Sequence, residues 1–139
     1  MPQDLGFGAI LGTAWIQSAW DIKRKKYSID YRELFAIVAA AVTWGHLWGG
    51  KRIVFVTDSL PITQIWVTGT SQATEVMSLI RFLFLTAANK GFSVSLKHIL
   101  GIYNPVADAI SRFQERRFRQ VMPTANLLPT TIPAEVWAI

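Results

Sequence analysis

The sequence predicts an α/β domain, a mixed five-stranded sheet flanked by helices in the order β-β-β-α-β-α-α-β-α. Short runs of β-branched and aromatic residues alternate with longer apolar runs at helical spacing. Glycine and proline punctuate the joints between them. A hairpin-like start followed by strands that alternate with helices describes a mixed sheet rather than an all-parallel one.

Residues 5–11 and 13–20 are β-rich runs separated by Gly12, the pattern of an antiparallel hairpin with a tight turn. Gly6 and Gly8 weaken the first strand. Lys23, Arg24, Lys25 and Lys26 interrupt the apolar pattern as a solvated turn, and residues 27–29 read as a short third strand. Asp30 and Glu33 then stand in N-cap and N3 relation, and Leu34, Ile37, Val38, Ala41, Gly45 and Trp48 follow at helical spacing until Gly49 and Gly50 end the helix. Residues 52–57 form a continuous β-branched and aromatic run, as in a central strand covered on both faces.

Ser59 and Pro61 suit the start of a short helix ending near Gly69. A longer one, from Ser71 or Thr74 to Lys90, places Val76, Leu79, Ile80, Leu83 and Ala87 on one face and stops at Gly91. Residues 92–99 alternate as a strand, with Phe92, Val94 and Leu96 on one side. Asn104 and Pro105 make the N-cap and first-turn pair of a last helix running to about Gln120. These elements define a domain over residues 1–121. Beyond it Pro123, Pro129 and Pro133 fall without periodicity, so residues 122–139 read as an extended linker or tail.

A chain of 139 residues that is 51% hydrophobic can bury one real core. Fourteen basic against nine acidic residues give a net charge of +5 and a pI near 9.9, which favours a polyanionic partner such as nucleic acid. The absence of cysteine excludes disulfides and cysteine-ligated zinc and permits a reducing compartment. The apolar stretches 34–48 and 79–88 are too short to span a membrane, and Arg81 interrupts the second. The N-terminus lacks a basic region followed by a long apolar run. An intracellular, non-secreted protein without membrane insertion is expected.

Among so few acidic residues, Asp58 ends the strongest strand, Asp108 opens the last helix, and Glu33 opens the first long one. Carboxylates at such element ends point to a metal-binding nuclease site. Each also has a plainer role: Glu33 in a capping box with Asp30, Asp58 as an N-cap, Asp108 against a helix dipole. His46 near a helix end suits the C-terminal dipole, and Trp15 and Trp20 suit core packing or a nucleic-acid groove.

The element order, the Glu33 helix, the strand ending in Thr57, Asp58 and Ser59, and the block His98-x5-Asn104-x3-Asp108-Ala109-Ile110-Ser111-Arg112 together resemble the ribonuclease H domain of retroelement reverse transcriptases. Members of that family typically read His-Ile-Pro-Gly-x-x-Asn-x-x-Ala-Asp-x-Leu-Ser-Arg in the last block. Arg112, Phe113 and Gln114, with Phe118, Arg119 and Gln120 running into a proline-containing tail, are similar to DIRS-type elements, whose polyprotein continues into a tyrosine recombinase. The similarity covers nearly the whole chain from about Gly6.

The resemblance implies an RNase H-like fold and a site in which four carboxylates hold two Mg²⁺ ions, with Mn²⁺ as a substitute, for hydrolysis of the RNA strand of an RNA/DNA hybrid. Glu33, Asp58 and Asp108 match the second to fourth carboxylates. His98 matches a mobile histidine assisting proton transfer or product release, and Asn104 a polar neighbour in the same loop. Lys23, Arg24, Lys25, Lys26 and Arg112 become phosphate contacts, as do Arg116, Arg117 and Arg119. A polymerase domain upstream and a tyrosine recombinase downstream are the implied partners in the same polyprotein.

Two departures stand out. The family's first aspartate lies about six positions before the first glycine of a Gly-aromatic-Gly-Ala segment, here Gly6, Phe7, Gly8 and Ala9, and counting back from Gly6 runs past Met1. Asp4, two residues before Gly6, is a poor match, so the expectation is either a piece of a longer polyprotein with an upstream Asp or a degenerate copy with impaired activity. Leu100 also replaces the usual proline, which bears on loop stiffness alone.

Overall fold

The computed structural model describes residues 5–139, so Asp4 lies outside the described residues. Strands β1 (Gly6–Leu11) and β2 (Ala14–Ala19) pair antiparallel, from Gly6 opposite Ala19 to Leu11 opposite Ala14. The two residues between them turn as expected, because Gly12 takes a left-handed φ of 60°. A short helix α1 (Ile22–Lys25) precedes α2 (Ile29–Trp44), which runs into a 3₁₀ turn at Gly45–Leu47. Strands β3 (Arg52–Thr57) and β4 (Ser93–His98) pair in parallel, Arg52 opposite Ser93 and Thr57 opposite His98. Helices α3 (Leu60–Thr68) and α4 (Thr74–Lys90) make the crossover between them. A 3₁₀ turn (Gly101–Tyr103), α5 (Pro105–Ser111), α6 (Glu115–Val121) and a last 3₁₀ segment (Ala134–Ala138) complete the chain.

The core is built around α2. Leu34, Phe35, Val38, Ala39 and Ala41 have no exposed surface, so apolar residues surround the helix instead of forming one stripe. Phe7 and Ile16 of the hairpin cover one side, and Leu79 and Leu83 of α4 cover another. Each such large side chain stabilises the fold by about 1.5–3 kcal/mol on burial. A second cluster of Trp15, Ala109, Ile110, Phe118 and Ala125 fastens α5 and α6 to the hairpin.

The architecture is mixed α/β, but the expected five-stranded sheet is not formed. The described residues hold four strands in two separate two-stranded sheets. Residues 27–29 make no third strand, because the Ser28 side chain accepts from the Tyr31 N–H at 3.2 Å and starts α2 there. Ser28, not Asp30, is therefore the N-cap, and Glu33 lies beyond the reach of a capping box. The expected basic turn is α1, capped by Asp21, whose carboxylate accepts from the Arg24 N–H at 2.8 Å. Strand β3 is covered on one face only: Ile53 and Phe55 pack on the core, while Val54 and Val56 are 55% and 46% exposed.

The last helix is also broken, at Phe113, which stands at φ 54°. The Gln114 N–H bonds the Ala109 carbonyl at 3.0 Å and the Phe113 N–H bonds that of Ile110 at 3.1 Å. This is a Schellman closure with phenylalanine where glycine is usual.

Residues 122–139 are not a free linker. The Asn126 and Thr130 N–H groups donate to the carbonyls of Thr13 (2.8 Å) and Trp15 (2.7 Å), and Trp15 Nε1 donates to the Asn126 carbonyl at 2.7 Å. Val136 is fully buried, and the Trp137 ring lies 5.4 Å from that of Phe35. An apolar slot between the hairpin and α2 is filled by these residues, so the packed unit does not stop at residue 121. No helix among the described residues is long and apolar enough to cross a membrane.

Candidate active site

Three elements bring one carboxylate each to a cleft of about 290 Å³, whose lining includes Glu33, Asp58, Asn104, Asp108 and Arg112 beside Gly6 and Gly8. Glu33 stands on the second turn of α2. Asp58 follows the last residue of β3, where chain direction changes: Ser59 N–H donates to Thr57 Oγ1 at 3.1 Å, and Ser59 Oγ caps α3 by accepting from Ile62 N–H at 3.4 Å. Asp108 sits in the first turn of α5.

The turn after β4 closes on Asp58, since a methyl group at Gly101 would lie 3.3 Å from Asp58 Oδ2. Across the cleft, a Cβ at Gly8 would come within 2.0 Å of Ile110 Cγ2, so glycine lets α5 settle directly on β1. That contact sets the height at which Asp108 meets the other two acids.

The electrostatics of the three groups differ. Burial, then the charge of Asp58 and a hydrogen bond shared with it, push the Glu33 carboxyl up to about 7. The charge of Arg32, which also lines the cleft, offsets this rise only in part. Asp108 is compensated. Partial burial pulls its carboxyl up, but hydrogen bonds from Arg117 and Arg112 outweigh this and hold it below the usual carboxylate range. Arg112 Nε reaches Oδ1 at 2.9 Å, and Arg117 Nη1 reaches Oδ2 at 2.7 Å.

Other sequence candidates fall elsewhere. His98 ends β4 beside Thr57 and does not line the cleft. Lys23 and Lys25 on α1 and Lys26 at its C-cap are exposed but also do not line it. Arg24 is no phosphate contact: it is 2% exposed, bonded to Asp21 Oδ2 at 2.5 Å and to the Ile139 carbonyl at 2.6 Å, and stacked 4.8 Å over the Phe35 ring. In a single helical turn successive side chains diverge by about 100°, so a run of four basic residues must send one inward.

Arg32, which lines the cleft beside Glu33, and Arg117, which reaches Asp108, have roles at the site that the sequence did not single out. The i, i+4 spacing of Asp108 and Arg112 announces their pairing. Nothing local announces the approach of Arg117.

The donor set of the cleft is hard carboxylate oxygen, the chemistry suited to Mg²⁺ or Mn²⁺. The Glu33–Asp58 pair fits such a cation, because the charge that raises Glu33 is the charge a cation neutralises. Asp108 does not complete a ligand set in this arrangement: no group of three or more His, Cys, Asp or Glu among the described residues has the placement to hold one metal ion. Comparison with protein-family models, curated proteins and solved structures yields no match for this chain.

Proposed function

We propose that this chain is a ribonuclease H-type nuclease domain of a retroelement reverse transcriptase, of RNase H-like fold, that cleaves the RNA strand of RNA/DNA hybrids with Mg²⁺ or Mn²⁺. The observation that carries it is the convergence of Glu33, Asp58 and Asp108, from three elements distant in sequence, on one cleft that also holds Asn104 and Arg112. Cations, when bound, supply activation of water and neutralisation of the phosphate. Glu33 and Asp58 would hold them, with Asp108 as a further ligand once its arginines release it. Arg112 and Asn104 orient the sugar-phosphate backbone, with Lys23, Lys25 and Lys26 as outlying phosphate contacts. His98, at the end of β4 and outside the cleft lining, would assist proton transfer or product release only by moving toward the cleft. The reading places the domain inside the cell, in a polyprotein with a polymerase upstream and a DIRS-type tyrosine recombinase downstream.

A second reading, a non-catalytic hybrid-binding remnant of the fold, is favoured by one observation, the two guanidiniums on Asp108 in place of a third metal-facing carboxylate. Incubation of a labelled RNA/DNA hybrid with Mg²⁺ separates the two. Cleavage that falls by roughly 10²–10³-fold in Asp58→Asn is expected. Tight hybrid binding without cleavage turns the conclusion to the second reading, and a preference for duplex DNA turns it to a DNA-directed nuclease.

A further inference from the structure

We propose that Arg117, together with Arg112, is a latch on Asp108 that a nucleic-acid phosphate opens, so that the polynucleotide and the divalent cation bind cooperatively. The proposal rests on the nuclease reading of the cleft and adds how its third carboxylate is regulated.

The latch is a product of the chain reversal at Phe113. In an unbroken helix, residue 117 would lie nine residues, or about 13 Å, further along the axis from Asp108 and out of reach. The Schellman closure, with Phe113 at φ 54°, turns α6 back instead. An aromatic residue in the left-handed region costs about 1 kcal/mol or more, so this reversal is held against local preference. The second core cluster holds it, through Phe118 packed with Trp15 and Ile110. Gln114 Oε1 steers the same guanidinium by accepting from Arg117 Nη1 at 2.9 Å.

Both oxygens of Asp108 are thereby taken, each by a different arginine. A divalent cation approaching Asp108 meets two positive groups instead of a free carboxylate, whereas Glu33 and Asp58 on the same cleft face each other, with Arg32 as the charge that offsets them. The site is charged for a cation on one side and closed to it on the other.

The closure is reversible by construction. Side-chain exposures of 41% for Arg117, 29% for Arg112 and 28% for Asp108 leave the ion pairs in contact with solvent. Such pairs are worth about 1 kcal/mol or less, so exchange is cheap. The exchange partner is set by chemistry: a phosphodiester is an anion whose paired oxygens match the guanidinium fork as a carboxylate does. Moving Arg117 and Arg112 to phosphate frees Asp108 and removes the repulsion in one step. Polynucleotide and metal then each strengthen the other's binding, as linkage requires.

The test is Mn²⁺ titration of the full chain, followed by water-proton relaxation. Arg117→Ala should bind Mn²⁺ about fivefold more tightly than the unmodified protein, the equivalent of one exposed ion pair. Adding Asp108→Asn to it should erase the gain. Dimethyl phosphate, the simplest phosphodiester monoanion, should tighten Mn²⁺ binding to the unmodified protein relative to chloride at equal ionic strength, and do so less in Arg117→Ala, where only Arg112 remains on Asp108. Thermal melts establish that the variants fold; should Arg117→Ala melt too low, Arg117→Lys, which keeps a cation but loses the fork, must show a gain over the unmodified protein. Unchanged or weaker Mn²⁺ affinity in the Arg117 variant, with binding lost in Asp58→Asn, overturns the latch and leaves the nuclease reading standing. Absence of Mn²⁺ binding in every variant overturns both.

Discussion

Glu33 sets a pH dependence that is open to direct measurement. The native protein raises the Glu33 carboxyl from 4.5 to about 7, so across that window it holds a proton that the unfolded chain has released. Stability of the metal-free protein should therefore be greatest below the lower value, fall as pH rises, and level off above the upper one. Glu33→Gln should flatten the fall and stabilise the protein at pH 8 by on the order of 2 kcal/mol, read from urea unfolding in EDTA. A variant as pH-sensitive as its parent would remove the basis for this account. Arg24 makes the opposite point: it belongs to a basic run that looks solvated, yet it sits between Asp21, Phe35 and the Ile139 carbonyl. Arg24→Ala should cost about 3 kcal/mol, through lost packing and lost bonds to Asp21 and the tail, with no change in salt-dependent nucleic-acid affinity. Filter binding at two salt concentrations checks the second half.

At the scale of elements, most boundaries were readable because their causes are local. Gly69 and Gly91 end α3 and α4 at φ 71° and 75°, and Ser59 caps α3 in front of its early proline, as the residue types required. The failures have two causes. The third strand gave way to a local serine cap at Ser28, whereas the last helix broke at a phenylalanine because the packing of Phe118 holds the reversal. The packing of α5 on β1 depends on a single missing Cβ. Gly8→Ala should destabilise the fold by about 1–3 kcal/mol, since the new methyl meets Ile110 Cγ2 at 2.0 Å. Ile110→Ala, which removes Cγ2, should shrink the loss caused by Gly8→Ala when the two are combined, read as a double-mutant cycle in denaturant unfolding. Equal stability of Gly8→Ala and its parent would mean that α5 does not rest on β1 as described.

Over the whole molecule, the segment after α6 is part of the domain. It bonds to Thr13 and Trp15, buries Val136 completely and adds Trp137 to the rings around Phe35. A chain ending at Val121 should lose several kcal/mol of stability, because one fully buried aliphatic and one large aromatic side chain leave the core at about 2–3 kcal/mol each. Its melting temperature should drop by at least 10 °C or so, or the chain should fail to fold. An unchanged melt would restore the view of this segment as a linker.

The sequence by itself determined most of the alternation of strands and helices, the hairpin turn, the two helices α3 and α4 between β3 and β4, and the three acids worth following. Each of these is written in nearest-neighbour chemistry, in caps, glycines and periodicity, that acts before the chain is compact. Only the tertiary structure decided that the strands form two sheets, that Arg24 is core, that the tail is packed, and that Arg117 closes over Asp108. Those outcomes depend on which surfaces meet after collapse, and a contact between residues far apart in the chain leaves no mark on the residues beside it.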